Sequence, residues 1–458
     1  MSLAERRWLR LFTLCVLYVA QGIPWGFTAT TLPAYLAAKG LSGEALGSVL
    51  VMTTLPYSFK WILGPIVDAF TGSRFGRRRP WIIFAQGAMA ATILAMVAIG
   101  DLAADHKLLA WTICVHTVFN ALQDVAVDAL AIDLLDEDER GRANGLMYAA
   151  KYGGGAIGGA GLSWVLATSN LTTTLIVQAA MLVAIMFVPL LVRERAESNV
   201  PEAVVRAGAA ERLAAAMTRL RGVVRSLAIV FSLRSTIMTA VLLLGLNVGA
   251  GIIFNVSLTL YTQHLGWKPE EYATLSGGYA LLAGCAGATC AGFLADRFGR
   301  RRVIGLASIA LLVSWVVFAL ATSLWTSSAY AYGNALFAAA SIAIMSVGTF
   351  ALCMDVSWSE TGASQFTAYM AIANFSTTLG YRLGGKLQAD LDYATCILVA
   401  AAIQLAVTLL LFAIDPQQTK RDLPLPVGTP TPRRGILALA GLALVLTGLT
   451  YYVVRDLV

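Results

Sequence analysis

Four polar residues within one apolar stretch could do chemistry: Asn120, Gln123, Asp124 and Asp128. Their spacing of i, i+3, i+4 and i+8 puts them on a single helical face. Ionisable groups inside a segment long enough to cross a membrane are costly, and they mark solute or proton paths. That face must look into a cavity or onto a partner helix. A second stretch carries Tyr148, Lys151 and Tyr152 on one face, and a short loop sets Lys151 at a depth similar to that of Asp128. A neighbouring lysine favours an ionised aspartate, whereas desolvation favours the neutral acid. A carboxylate between those two pulls suits a proton carrier, with Asp124, Asp128 and Lys151 as the candidates. The competing reading is a static pair that fixes two helices together.

Other apolar stretches offer groups suited to a polar solute. Tyr57, Lys60 and Trp61 share one, where the lysine suits an anionic substrate or, equally, a partner for Asp124 or Asp128. Asn374, Thr378, Tyr381 and Arg382 follow at i, i+4, i+7 and i+8. Arg382 could bind a carboxylate or phosphate through two parallel bonds, or snorkel to the interface. Tyr18, Gln21, Trp25 and Thr28 present aromatic and amide groups that fit a sugar or base ring, with packing as the alternative for Trp25. Asn247, Gly251 and Asn255 share a face that serves either a cavity or helix–helix hydrogen bonding.

Several features that could suggest other chemistry do not survive inspection. Gly153–Gly158 matches G-x-G-x-x-G, but no strand precedes it, so it reads as small-xxx-small helix packing and not as a dinucleotide loop. His106, His116 and His264 form no metal-spaced group. The six cysteines all fall in apolar segments without a C-x-x-C pair, so neither a disulfide nor a metal site is expected. No nucleophile–base constellation is present, which argues against a membrane enzyme. No cofactor is expected.

The elements that must position these residues follow from composition. Of 458 residues, 58% are hydrophobic and 13% charged, and the mean hydropathy is +0.72. A soluble domain is about a quarter charged. The net charge of +7 lies in short loops between apolar runs, so it reads as topology and not as a nucleic-acid surface. A membrane helix needs roughly 20 apolar residues. Such runs fall at 9–36, 46–70, 80–100, 108–134, 143–167 and 172–192, then at 236–262, 272–295, 303–324, 329–354, 365–388 and 393–414, with one more at 436–454. This predicts an all-α membrane protein with two six-helix bundles, 1–192 and 235–415. A basic linker at 193–234 holds an amphipathic helix around Glu211–Arg225, and a tail at 416–458 adds a thirteenth span. Arginine clusters at 6–10, 74–79, 140–142 and 297–302 set the N-terminus in the cytoplasm by the positive-inside rule.

The halves repeat. Gly64 and Asp68 recur as Gly292 and Asp296, 228 residues on in both cases (292 − 64 and 296 − 68), each followed by an aromatic–Gly–Arg–Arg–Arg run. Duplication of this kind belongs to transporters whose solute site lies between repeats. Asp355, 227 residues after Asp128 (355 − 128), is either its repeat partner or an interfacial residue.

At GFLADRFGRRR (Gly292–Arg302) the chain resembles the loop motif of the major facilitator superfamily, G-x-x-x-D-R-x-G-R-R. The resemblance implies the major facilitator fold and a gating latch at Asp68, Arg77, Asp296 and Arg300; a plain positive-inside anchor is the alternative. The segments YVAQGIPWGF, LPYSFKWILGPIVDAF, ALQDVAVDAL and DERGRANG are similar to the peptide/acetyl-coenzyme A transporter family, most clearly in the first half. Two departures stand out: that family's muropeptide permeases often have two extra C-terminal helices where one is counted here, and a YRLG-like stretch falls in the eleventh span instead of the fifth. The resemblance implies proton-coupled import of a large polar anion across a bacterial inner membrane by a monomer. An anhydromuropeptide ranks first, with an acyl-coenzyme A or a siderophore as alternatives. A solute sensor that does not transport is a further reading.

Overall fold

A chain in hydrocarbon must satisfy its backbone hydrogen bonds internally, so long apolar runs fold as helices. The computed structural model describes residues 3–69, 76–135, 139–194, 218, 222–358, 361–423 and 432–455, and those residues are helical apart from short turns. Among the described residues, ten helices meet a membrane-crossing length and apolarity, from Arg7–Ala38 to Arg433–Val454. Three further spans do not meet that measure, and each carries an ionisable residue picked out above. The second runs Gly43–Thr54, a 3-10 stretch Leu55–Ile62 with Lys60, and Leu63–Ala69. The fifth runs Arg140–Ala156, a π-turn Ile157–Gly161 and Leu162–Thr168, and includes Lys151. The eleventh, Gly362–Asp390, includes Arg382. Four spans are capped at their starts by short polar side chains. Ser42, Asn170, Ser327 and Asp392 accept backbone N–H bonds where the second, sixth, tenth and twelfth spans begin.

Large apolar side chains such as Trp8, Trp164, Phe293, Phe412 and Leu444 lie exposed. Against lipid, that surface is stable, whereas in water it would aggregate. Of the linker, Arg193, Glu194, Thr218 and residues from 222 onward are described, helical from 222 to 230; the rest of the expected amphipathic helix lies outside the described residues. The thirteenth span, Arg433–Val454, buries Gly435 and Val453, with Gly435 set against the backbone of Ala228.

The chain divides into two compact units. The first comprises Met1–Leu36, Phe59–Leu220 and Pro269–Gly278; the second comprises Ala37–Ser58, Arg221–Lys268 and Tyr279–Val458. The first half of the second span thus packs within the second unit, on the eleventh span, and the helix Pro269–Thr274 packs within the first, on Leu162–Thr168.

Both units close their arginine-rich ends in the same way. In the first, Arg78 Nε donates to Asp133 at 3.0 Å, and Arg79 donates to the carbonyl of Pro189 at 2.7 Å. In the second, Arg300 pairs with Asp355, and Arg301 donates to the carbonyl of Leu411 at 2.7 Å. Each residue stands 222 positions from its counterpart (300 − 78, 301 − 79, 355 − 133, 411 − 189). Asp355 is therefore the counterpart of Asp133 and not of Asp128: both end a helix beside the arginine loop, where a guanidinium offsets the charge. The first unit adds Glu194, whose carboxylate accepts the N–H groups of Arg77, Arg78 and Arg79 at 2.9, 2.7 and 2.6 Å. A carboxylate there also complements the positive end of the third span, Arg79–Val97.

Candidate functional site: a buried charge cluster

Glycines let the first and fifth spans touch backbone to backbone. A Cβ on Gly22 or Gly26 would strike the main chain of Lys151 or Gly155, and one on Gly154 or Gly158 would strike Val19, Gly22 or Ile23. The G-G-G-A-I-G stretch is thus a packing seam. At its end two π-turns, Phe27–Thr31 and Ile157–Gly161, lie side by side, and the Thr31 hydroxyl sits 3.0 and 2.6 Å from the carbonyls of Gly158 and Gly159. π-turns inside helices recur at functional sites. The seam sets Lys151 over Tyr18, with Nζ 5.8 Å from the ring centroid.

Two lysines converge on one aspartate. Lys60 Nζ donates to Asp124 Oδ2 at 3.2 Å, and Lys151 Nζ donates to Oδ1 at 3.3 Å. The Asp124 side chain is 7% exposed, so the carboxylate is sealed, while the lysine side chains are 24% and 23% exposed. One turn further along the fourth span, Asp128 is half-buried and accepts a hydrogen bond from the Tyr18 hydroxyl. Among the described residues no cation lies within ion-pair distance of Asp128. Lys151 therefore pairs with Asp124 and not with Asp128, the depth-matched partner expected from the loop. Tyr18 is buried and meets Tyr148 edge-on at 5.9 Å; Trp25 meets Tyr152 at 6.5 Å. Tyr148, Tyr152 and Trp61 are exposed. Removing one partner of a buried ion pair is destabilising, whereas an apolar replacement of the whole set is often neutral. Stability therefore gives no reason for such a cluster in a helix bundle.

Amides surround this cluster. Gln21, Asn120 and Gln123 are buried, and both amide atoms of each glutamine and Oδ1 of Asn120 have no partner among the described residues. An unpaired buried polar group costs about 1–3 kcal/mol, so these positions call for water or a solute's polar atoms.

The second unit treats its candidates differently. Asn255 donates to the carbonyls of Tyr381 (3.0 Å) and Gly43 (3.3 Å) and accepts from Gln388 at 3.0 Å, a helix–helix tie with its hydrogen bonds filled. Asn247 donates to the carbonyl of Ala373 at 3.3 Å. Arg382, 1% exposed, donates to Ser48 Oγ at 2.9 Å and lies 3.8 Å from Glu44, which also pairs with Lys386 at 3.0 Å. Tyr57 and Asn374 are half-buried, and Asn374 makes no side-chain hydrogen bond among the described residues. Of the latch residues, the side chains of Asp68 and Asp296 lie outside the described residues. Arg77 lies 3.9 Å from Asp133, and Arg300 pairs with Asp355. The sequence groups Tyr18 with Gln21 and Trp25 on one face but gives no sign of its hydrogen bond to Asp128. Asp133 and Glu194 gave no signal beyond lying near arginines.

The sequence model of the Major Facilitator Superfamily matches residues 14–254 and again 240–455. The chain belongs to that superfamily. It is a multi-pass membrane transporter of that superfamily. It is 25% identical over 384 residues to the anhydromuropeptide permease of Escherichia coli (strain K12), covering 80% of this chain and 73% of that one. It is 35% identical over 159 residues to an uncharacterized membrane protein of Saccharomyces cerevisiae, and 30% identical over 167 residues to an uncharacterized protein of Haemophilus influenzae. Those two matches span 28% and 39% of the relatives' lengths. Among solved structures, the inward-open xylose transporter XylE of E. coli aligns with a TM-score of 0.65 at 12% identity, covering 93% of this chain and 99% of that one. A POT family transporter in complex with 5-aminolevulinic acid aligns at 0.67 and 12%, covering 90% and 97%. These structural matches carry the fold.

Proposed function

We propose that this protein imports a sizeable polar anionic solute, a peptidoglycan-derived anhydromuropeptide, by proton-driven alternating access. The observation that carries the reading is the pair of lysines, Lys60 and Lys151, gathered on a sealed Asp124 beside Tyr18 and Tyr148. Cations beside rings suit a molecule with sugar rings and carboxylates. Unpaired amides at Gln21, Asn120 and Gln123 add donors and acceptors for hydroxyl and peptide groups. Similarity to a permease named for anhydromuropeptides supports the same choice. The arginine distribution supports a cytoplasmic N-terminus in a bacterial inner membrane, and the protein acts as a monomer in this reading. Aromatic rings with two lysines also suit the base and phosphates of an acyl-coenzyme A, which is the second reading.

A thermal-stability assay of the purified protein separates them, using a GlcNAc–anhydroMurNAc peptide, acetyl-coenzyme A and a ferric siderophore. A ligand at about 100 times its dissociation constant adds roughly 2.7 kcal/mol to the folded state. Stabilisation by the muropeptide alone is expected. Stabilisation by acetyl-coenzyme A alone would replace the substrate and keep the site.

A further inference from the structure

The two carboxylates of the cluster sit one helical turn apart yet have different surroundings. Asp124 touches both ammonium groups and is sealed from solvent. Were it neutral, Lys60 and Lys151 would both lose the carboxylate they touch, in a medium where charge is poorly screened. Asp128 touches a phenol hydroxyl. Its neutral form breaks no ion pair. The groups that face it are Tyr18 from the first span, Lys60 from the second, Asp124 on its own helix, and Tyr148 and Lys151 from the fifth. Formal charge follows: with both acids ionised the two lysines are balanced, and with Asp128 protonated the cluster carries one net positive charge.

Resting on the anionic-solute reading above, we propose that Asp128 takes up the transported proton, that this exposes one net positive charge at Lys60 and Lys151 for a single anionic group of the solute, and that Tyr18 is the positioning residue that holds Asp128 ready. Asp124 is a fixed counter-ion throughout. Proton and anion then load together, because each lowers the electrostatic cost of the other, and the coupling is reciprocal. The anion needs no new cation, since Lys60 and Lys151 are already gathered there with side chains 24% and 23% exposed. Tyr18 acts through its hydroxyl, which donates to the ionised carboxylate, and through its ring, which lies beneath the Lys151 ammonium.

The test is infrared difference spectroscopy of the full-length protein, titrated with pH and first without solute. A protonated-carboxyl carbonyl band is expected to grow as pH falls in the parent protein and to be missing in Asp128→Asn. In Tyr18→Phe the band persists with its midpoint moved to higher pH, because the donor that favours the ionised acid is gone; a merely structural role for Tyr18 leaves the midpoint in place. Adding the GlcNAc–anhydroMurNAc peptide at fixed pH should enlarge the band. Its affinity should fall about tenfold per pH unit on the alkaline limb, the slope of one linked proton, and become flat in Asp128→Asn. Persistence of the band in Asp128→Asn, or peptide binding that leaves the band unchanged, overturns the proposal. If the peptide does not bind at all, the substrate reading falls, while the solute-free titration still decides which carboxylate takes the proton.

Discussion

The two units share a scaffold and differ in what they place inside it. Both pack two spans through a glycine seam, Gly22 and Gly26 against Gly154 and Gly155 in the first, Gly251 against Gly380 in the second. Both lock their arginine-rich ends with an Arg–Asp pair and an arginine–carbonyl bond at the same 222-residue spacing (355 − 133 and 301 − 79). Within the first unit the seam delivers a lysine to a buried aspartate. Within the second it delivers Asn255 to backbone carbonyls and to Gln388, and the buried Arg382 is held by Ser48 and Glu44. Repetition thus fixes the frame, while the chemistry follows from a few side chains that the repeat does not copy.

The contrast is broken most severely at Asp124. Asp124→Asn should destabilise the protein by about 3–5 kcal/mol, because two lysines lose their counter-ion; thermal unfolding in detergent measures this, and uptake should vanish. Next comes Asn255→Ala in the second unit, which strips bonds from buried carbonyls and should cost about 1–3 kcal/mol. Unlike changes in the cluster, it should leave the pH dependence of uptake in place. Gly22→Val and Gly251→Val sharpen the comparison of seams. Each adds volume where backbones meet and should cost about 1–3 kcal/mol, but Gly22→Val should also alter the pH dependence by moving Lys151. The smallest effects belong to the arginine ends. Arg300→Ala removes a pair whose side chains are 37% and 36% exposed, and should cost under about 1 kcal/mol. Arg78→Ala, with its guanidinium 5% exposed, should cost more than Arg300→Ala in the same unfolding assay.

Hydropathy made the spans legible because lipid demands long apolar helices, and the loop motif made the duplication legible. Lys60, Lys151, Asp124 and Asp128 were visible because charge in such a span is rarely idle. Their pairing was not. Asp124 and Asp128 share a face and differ in depth by about 6 Å, four residues of helical rise, which loop length cannot resolve. Tyr18 looked like an ordinary aromatic until a fold brought the first span against the fourth and fifth. Arg382 looked available because Glu44 and Ser48 lie more than three hundred residues away in sequence. Spacing alone left Asp355 open between a repeat partner of Asp128 and an interfacial residue, and the Arg300 contact makes it the counterpart of Asp133.

The most direct test is uptake of a labelled GlcNAc–anhydroMurNAc peptide into proteoliposomes under an imposed inward proton gradient, with the parent protein and Asp128→Asn side by side. The account expects concentrative uptake by the parent protein that collapses when the gradient is dissipated, and only equilibrative exchange by Asp128→Asn. Gradient-driven accumulation that survives in Asp128→Asn would contradict it.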